Sequence, residues 1–253
     1  MGRTFESLTS EAEAADVGGW DFSWLDGRAT EERPSWGYQH LLAGRLASSA
    51  SALDLQTGGG EVLAGTGPEN FPATMVATEG WPPNVQRATS LLHPLGVVVV
   101  ADDGEPPLPF AGEAFDLVTS RHPATVWWSE IERVLRSGGT YFAQHVGGGT
   151  NVEITSFFVN SFEPGHARDH RVEAEAARVA GLEVVDCRNE RLELQFFDVS
   201  AVVYFLRKVI WTVPDFSVNR YRTRLHDMHQ LIEQDGVFHS TMSRTLFEVR
   251  KPV

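Results

Sequence analysis

The stretch SALDLQTGGGEVLA, residues 51–64, places a carboxylate, Asp54, inside an apolar run and follows it with Gln56, Thr57 and three consecutive glycines, Gly58, Gly59 and Gly60. Glycine accepts positive φ and lets a ligand touch the main chain. The bend leads into EVLA, the predicted start of a helix, whose first N–H groups lack intrahelical partners. Two kinds of ligand suit such a bend. A pyrophosphate sits directly on the helix N-terminus, whereas an amino-acid-bearing nucleoside brings an ammonium group. A carboxylate within the strand repels the first and attracts the second. The glycines also miss the G-x-G-x-x-G offsets of the dinucleotide fingerprint. Further candidates stand where later strand-like runs end: Glu79 after ATMVAT, Asp102 and Asp103 after VVVVA, His122 after AFDLVTS and His145 within TYFAQHV.

The elements that must position these groups alternate. ALDL, ATMVATE, VVVVA, AFDLVTS and TYFAQHV read as strands, with helices predicted from EVLA and over PPNVQRATSLL. Trp127, Ile131, Val134 and Leu135 recur on one helical face, which Gly138 and Gly139 terminate. The unbroken run VVVVA predicts a strand covered on both faces. Asp169 caps a predicted helix through Ala180, with Gly181 as its stop. LEVVDCRNERLELQFF reads as a long strand or hairpin, FDVSAVVYFLRKVI and NRYRTRLHDMHQLIEQDG as two helices, and RTLFEVRKP as a last strand. Before all of these, a helix is predicted from about Trp36 to Ala50. Strand–helix alternation predicts a mostly parallel, doubly wound sheet, with ligands at the carboxyl ends of its strands.

The 253 residues carry a formal net charge of −13, a field that repels nucleic acid and anionic membranes. The densest basic group, Arg220, Arg222 and Arg224, reads as solvated surface. The single cysteine, Cys187, forms no disulfide within the chain and suggests a reducing compartment. It is expected inside a strand and inert. His226 and His229 read as helix surface, and no Cys/His cluster predicts a metal. Without a basic segment leading into an apolar one near residue 1, and without an apolar run of membrane-spanning length, the expectation is a cytoplasmic protein.

ALDLQTGGGEVLA resembles the first motif of class I S-adenosylmethionine-dependent methyltransferases, roughly D/E-x-G-x-G-x-G. Asp54, Gly58 and Gly60 match it, and Gln56 stands where the first glycine is usual. The resemblance continues through residues 50–146 in order: Glu79 closing the second strand, VVVVADDGEPPLPFAGEAFDLVTSRH, and IERVLRSGGTYFAQ. It implies a Rossmann-like, doubly wound, seven-stranded sheet with an antiparallel last strand. It also implies a helical cap over residues 1–50, a core of 51–196 and 237–253, and a helical insertion over 197–236 that shapes the acceptor pocket. S-adenosylmethionine would lie against Asp54, Gln56, Thr57, Gly58 and Gly60. Glu79 and Gly80 would hold its ribose, and Asp103 or Asp102, with Gly104 and Glu105, its adenine. Arg121 would meet its carboxylate.

The chemistry so implied is an in-line displacement at a sulfonium methyl that leaves S-adenosylhomocysteine. A hydroxyl acceptor would need a general base, and His122, then His145, are the candidates. Trp20, Trp24, Trp36 and Tyr38 could cap the methyl or simply pack the cap onto the sheet, and Tyr204 and Trp211 belong to the aromatic insertion. The charge favours a small-molecule acceptor and no nucleic-acid or membrane partner. The alternatives are an RNA or protein methyltransferase and a catalytically silent cofactor-binding subunit. The insertion helices could equally form a homodimer face.

Overall fold

A computed structural model of the protein describes residues 3–19, 21–163, 165–166 and 168–253, so Trp20 lies outside the described residues. In chain order the elements begin with α1 (Phe5–Ala14), β1 (Ala29–Glu31), α2 (Tyr38–Ala47), β2 (Ser51–Leu55), α3 (Glu61–Ala64), β3 (Thr74–Glu79), α4 (Pro82–Leu92) and β4 (Val98–Ala101). They continue with β5 (Phe115–Arg121), α5 (Trp128–Val134), β6 (Leu135–Val146), α6 (Val152–Phe158), α7 (His170–Val179), β7 (Glu183–Phe196), α8 (Val199–Lys208), α9 (Arg222–Asp235) and β8 (Phe238–Arg250). Two compact units share them. One is Pro34–Gly148, His166–Glu190 and Arg244–Val253; the other is Met1–Arg33, Gly149–Gly165 and Arg191–Ser243.

The unit that begins at Pro34 holds the strand order β7-β8-β6-β5-β2-β3-β4. β2 pairs in parallel with both β3 and β5, β3 with β4, and β5 with β6, while β8 runs antiparallel to β6. The chain winds outward from β2 through β3 and β4, then returns to lay β5 on the other side of β2. The carboxyl ends of β2 and β5 therefore flank the switch point where doubly wound sheets bind ligands. Strand alternation sends Ala52, Leu117 and Phe142 into one apolar cluster with Leu46, Leu63 and Leu92. Leu53, Val118 and Tyr141 enter a second cluster with Ile131 and Leu135 on the opposite face.

Three expectations change. β4 is the terminal strand, bonded only to β3, and Val98 is 57% exposed, so VVVVA is not covered on both faces. α5 stops at Val134, and Leu135 instead opens β6 opposite Phe115. The strand count is eight among the described residues, because β1 pairs antiparallel with β7 through Ala29↔Phe196 and Glu31↔Leu194.

The unit containing Met1–Arg33 is built around α8. Nine of its ten residues are buried, so it sits inside a helical cluster rather than on its surface. Asp198 caps it by accepting from Ala201 N–H at 2.9 Å. Phe5, Leu8 and Ala12 of α1 pack in the same core with Leu225, Met228 and Ile232 of α9. The basic trio lies on this unit's surface with local partners: Arg220 bonds Asp215 at 3.2 Å, Arg222 pairs with Glu6, and Arg224 donates to Asn160 at 2.9 Å.

Candidate functional site

The turn after β2 takes the shape its glycines allow, with φ of +66° at Gly58 and +85° at Gly60. A Cβ on Gly60 would lie 2.8 Å from the Leu92 side chain in α4. Gly60→Ala is therefore expected to cost about 2–4 kcal/mol, combining left-handed strain with overpacking. Urea unfolding checks this, and an unchanged midpoint would mean that both α4 and the turn shift freely.

Asp54 is buried in β2, where Oδ1 accepts from the Thr119 hydroxyl of β5 at 2.6 Å. Burial pushes its carboxyl up to about 6, against the opposing pull of the Thr119 hydrogen bond. Glu79, at the end of β3, accepts from Gly58 N–H at 2.8 Å through Oε2, and from Trp81 and Gly80 N–H at 2.9 and 3.1 Å through Oε1. It thus ties the glycine turn to the end of the neighbouring strand. After β4, Asp102 accepts from Gly104 N–H at 2.8 Å and Asp103 from Glu105 N–H at 3.1 Å, which shapes the loop around Gly104, itself at φ +78°. A Cβ on Gly80 would come within 3.0 Å of Asp102 O and Asp103 Cα, so only glycine lets these two strand ends meet. The sequence-predicted acids are therefore gathered at adjacent carboxyl ends of β2, β3 and β4. Arg121 closes β5 at the exposed end of the same sheet.

Gln56 keeps the turn in a left-handed conformation, φ +55°, without being glycine. Its amide reaches across to the segment after β5: Oε1 accepts from Ala124 N–H at 2.6 Å and Nε2 donates to Thr125 O at 2.7 Å. Arg168 holds the same segment by donating to Pro123 O at 3.4 Å and Ala124 O at 3.2 Å.

His122 also adopts positive φ, +58°, and its N–H donates to Gln144 O at 2.7 Å. Its protonation follows from a chain of donors. The Trp36 indole can only donate, and it does so to Gln144 Oε1 at 2.8 Å. Gln144 Nε2 therefore faces His122 Nε2, 2.9 Å away, and donates to it. His122 is the Nδ1–H tautomer with its lone pair engaged. Burial first, then the charges of Arg121 and Arg244, hold it well below the usual histidine range, so the ring is neutral. In histidine-labelled protein, nitrogen NMR should show a neutral Nδ1–H ring at pH 6. Trp36→Phe should release the amide and mix the tautomers; a charged wild-type ring at that pH would refute the relay.

His145 is fully buried between Tyr141, whose hydroxyl lies 2.9 Å from Nε2, and Glu173, 3.1 Å from Nδ1. Its ring packs on Trp128 and Phe247. Both ring nitrogens are thus engaged by neighbours inside the core, and burial drives the Tyr141 hydroxyl far above the ordinary tyrosine range. Tyr38 is interior too, stacked on Phe142 with its hydroxyl donating to Ser120 O at 3.1 Å. In the other unit Trp24 stacks on Tyr204 at 4.6 Å under the Arg28 guanidinium, and Trp211 is 65% exposed. Cys187 lies half-buried in β7, its thiol pushed up to about 11 by burial and by Asp186, which suits an inert thiol. Gln144, Thr119 and Thr125 carried no signal in the sequence, since each acquires its role from a partner distant in the chain.

A mostly parallel, doubly wound sheet whose first central strand ends in a glycine turn is a Rossmann-like fold. Residues 53–143 match the family model described as a methyltransferase domain. Among curated protein sequences none matches at a significant level. Solved structures share the fold. One is a Bacillus halodurans C-125 protein provisionally assigned as a methyltransferase, with 20% identity, 84% of this chain and 98% of that one covered, and a TM-score of 0.59. The Haemonchus contortus phosphoethanolamine N-methyltransferase 2, complexed with phosphomonomethylethanolamine and S-adenosylhomocysteine, has 18% identity over all of this chain and 61% of its own, with a TM-score of 0.54. The [4+2]-cyclase SpnF has 18% identity over 97% of this chain and 91% of its own, with a TM-score of 0.53. Among the described residues no helix is long and apolar enough to cross a membrane, and no group of three or more His, Cys, Asp or Glu residues could hold a metal.

Proposed function

We propose that the protein is an S-adenosylmethionine-dependent methyltransferase acting on a small-molecule acceptor. The observation that carries this reading is the placement of Asp54, Glu79 and Asp102–Asp103 at consecutive strand ends beside a turn with positive φ at Gly58 and Gly60. The donor set fits the cofactor. Asp54, buried and costly to ionise alone, gains from a cation. Glu79 has about four acceptor positions and uses three, so ribose hydroxyls must displace backbone donors to be held by both oxygens. The loop at Gly104 offers backbone and carboxylate groups to a purine edge. When bound, the cofactor supplies an activated methyl on a sulfonium, and the protein's own contribution is to bind, align and exclude water.

His122 presents Nδ1–H and keeps its Nε2 lone pair on Gln144, so it serves as a hydrogen-bond donor rather than a ready base. That favours acceptors that attack without surrendering a proton to the protein, such as an amine, a thiolate or a carbanion. The net charge of −13 and the locally neutralised arginines support a small molecule over RNA. Incubating the protein with methyl-labelled cofactor and a metabolite extract, then identifying labelled product by mass, tests the reading. Label appearing only on RNA or protein, or nowhere, would overturn it.

A further inference from the structure

We propose that Gln56 is a latch that closes the cofactor crevice by bridging the turn after β2 to the segment after β5, an inference that rests on the cofactor reading above. A glutamine at φ +55° occupies a conformation that glycine adopts without strain, so its side chain must supply something a glycine could not. What it supplies is a two-point clamp. One planar amide accepts from Ala124 N–H at 2.6 Å and donates to Thr125 O at 2.7 Å, on adjacent residues. The clamp crosses the gap between the carboxyl ends of β2 and β5, the switch point of the sheet.

The space left beneath it, lined by Leu55, Gln56, Ser120, Thr125, Trp127 and Tyr141 among others, is about 20 Å³. That holds a single water, whereas pockets for nucleoside-sized ligands run to several hundred Å³. The Trp127 indole N–H on this lining is buried without a partner, a donor that an opened, filled crevice would satisfy. Glu79 is likewise turned onto its own backbone. The closed form thus satisfies the Gln56 amide and the Glu79 carboxylate within the chain while leaving the Trp127 donor unmet, and ligand affinity is set by the fraction of molecules that are open.

The test compares wild type with Gln56→Gly, which relieves the positive-φ strain while deleting the amide, and urea unfolding of both proteins confirms that the variant is folded. S-adenosylhomocysteine is the probe, followed by calorimetry and by hydrogen exchange of the Ala124 amide. The latch predicts binding about tenfold tighter in Gln56→Gly. It also predicts an Ala124 amide that is protected in free wild type and exchanges faster when wild type is saturated. Either a variant that binds no more tightly than wild type, or an Ala124 amide that stays protected at saturation, overturns the latch while leaving the cofactor reading intact. Binding by neither protein overturns the cofactor reading and the latch with it.

Discussion

Replacing Glu79 by alanine is expected to cost about 2–4 kcal/mol of unfolding free energy and to abolish tight cofactor binding together. The first effect follows from what the carboxylate holds. Its two oxygens accept from the backbone N–H groups of Gly58, Gly80 and Trp81, at 2.8, 3.1 and 2.9 Å, while only 8% of the residue is exposed. Hydrogen bonds to a charged acceptor contribute about 1.5–3 kcal/mol each when truncation leaves the donor dry. Gly80 and Trp81 are exposed enough for water to replace the lost oxygen, which keeps the total below the sum of three. The second effect follows from position, because the Gly58 N–H bond is the side-chain link by which Glu79 ties the glycine turn to the end of β3. Glu79→Gln keeps one acceptor oxygen but turns an amide N–H₂ toward a backbone donor, so it should recover only part of the loss. Urea unfolding and calorimetry with S-adenosylhomocysteine check both. An alanine variant as stable as wild type would mean that the turn is held by the Thr57 N–H to Thr78 O bond, 2.9 Å, rather than by Glu79.

That acid was legible in the sequence, and so was most of the sheet. Five strand-like runs, each closed by a polar or glycine residue, fall where β2 to β6 lie, because a strand's own side chains encode its faces. What escaped notice depends on partners. β1 is three residues long and owes its existence to the edge of β7. α1 is capped by Thr4, whose hydroxyl accepts from Ser7 N–H, but its apolar positions Phe5, Leu8 and Ala12 are diluted by serines and glutamates. VVVVA looked doubly covered because composition reports hydrophobicity, not rank in the strand order, and β4 is at the edge. At the site, the spacing located acids but not their states. Nothing local says that Asp54 would meet Thr119, or that an indole 108 positions before Gln144 in the chain would fix an amide and, through it, the tautomer of His122. Gln56 was visible as a departure from the glycine pattern, yet its purpose needed the loop at Ala124 to be in place.

Asp54→Asn is expected to stabilise the fold at neutral pH and harm ligand binding, and the pH dependence separates the two. In the folded protein the carboxyl titrates near 6, against 3.8 ordinarily, because burial opposes its charge. Below about pH 4 the group is protonated whether folded or not and contributes no difference. Between about pH 4 and 6 the unfolded chain ionises first, so wild type loses stability as pH rises. Above about pH 6 both states are ionised and the folded state carries the full penalty, on the order of 3 kcal/mol for a gap of roughly two units. Asparagine can still accept from the Thr119 hydroxyl and does not ionise, so its advantage should be absent at pH 4, open across that window and level off by pH 8. Urea unfolding across that range measures it, and a gap independent of pH would mean that Asp54 is not buried as a costly charge. A bound cation offsets the same penalty. Wild type should therefore release protons on binding S-adenosylmethionine near pH 6 but not at pH 8, and Asp54→Asn should release none at either and bind about tenfold more weakly at pH 8, the loss of one charge-assisted contact. Calorimetry in buffers of differing ionisation enthalpy reads that proton count, and equal release from the two proteins would remove Asp54 from the cofactor's cationic end.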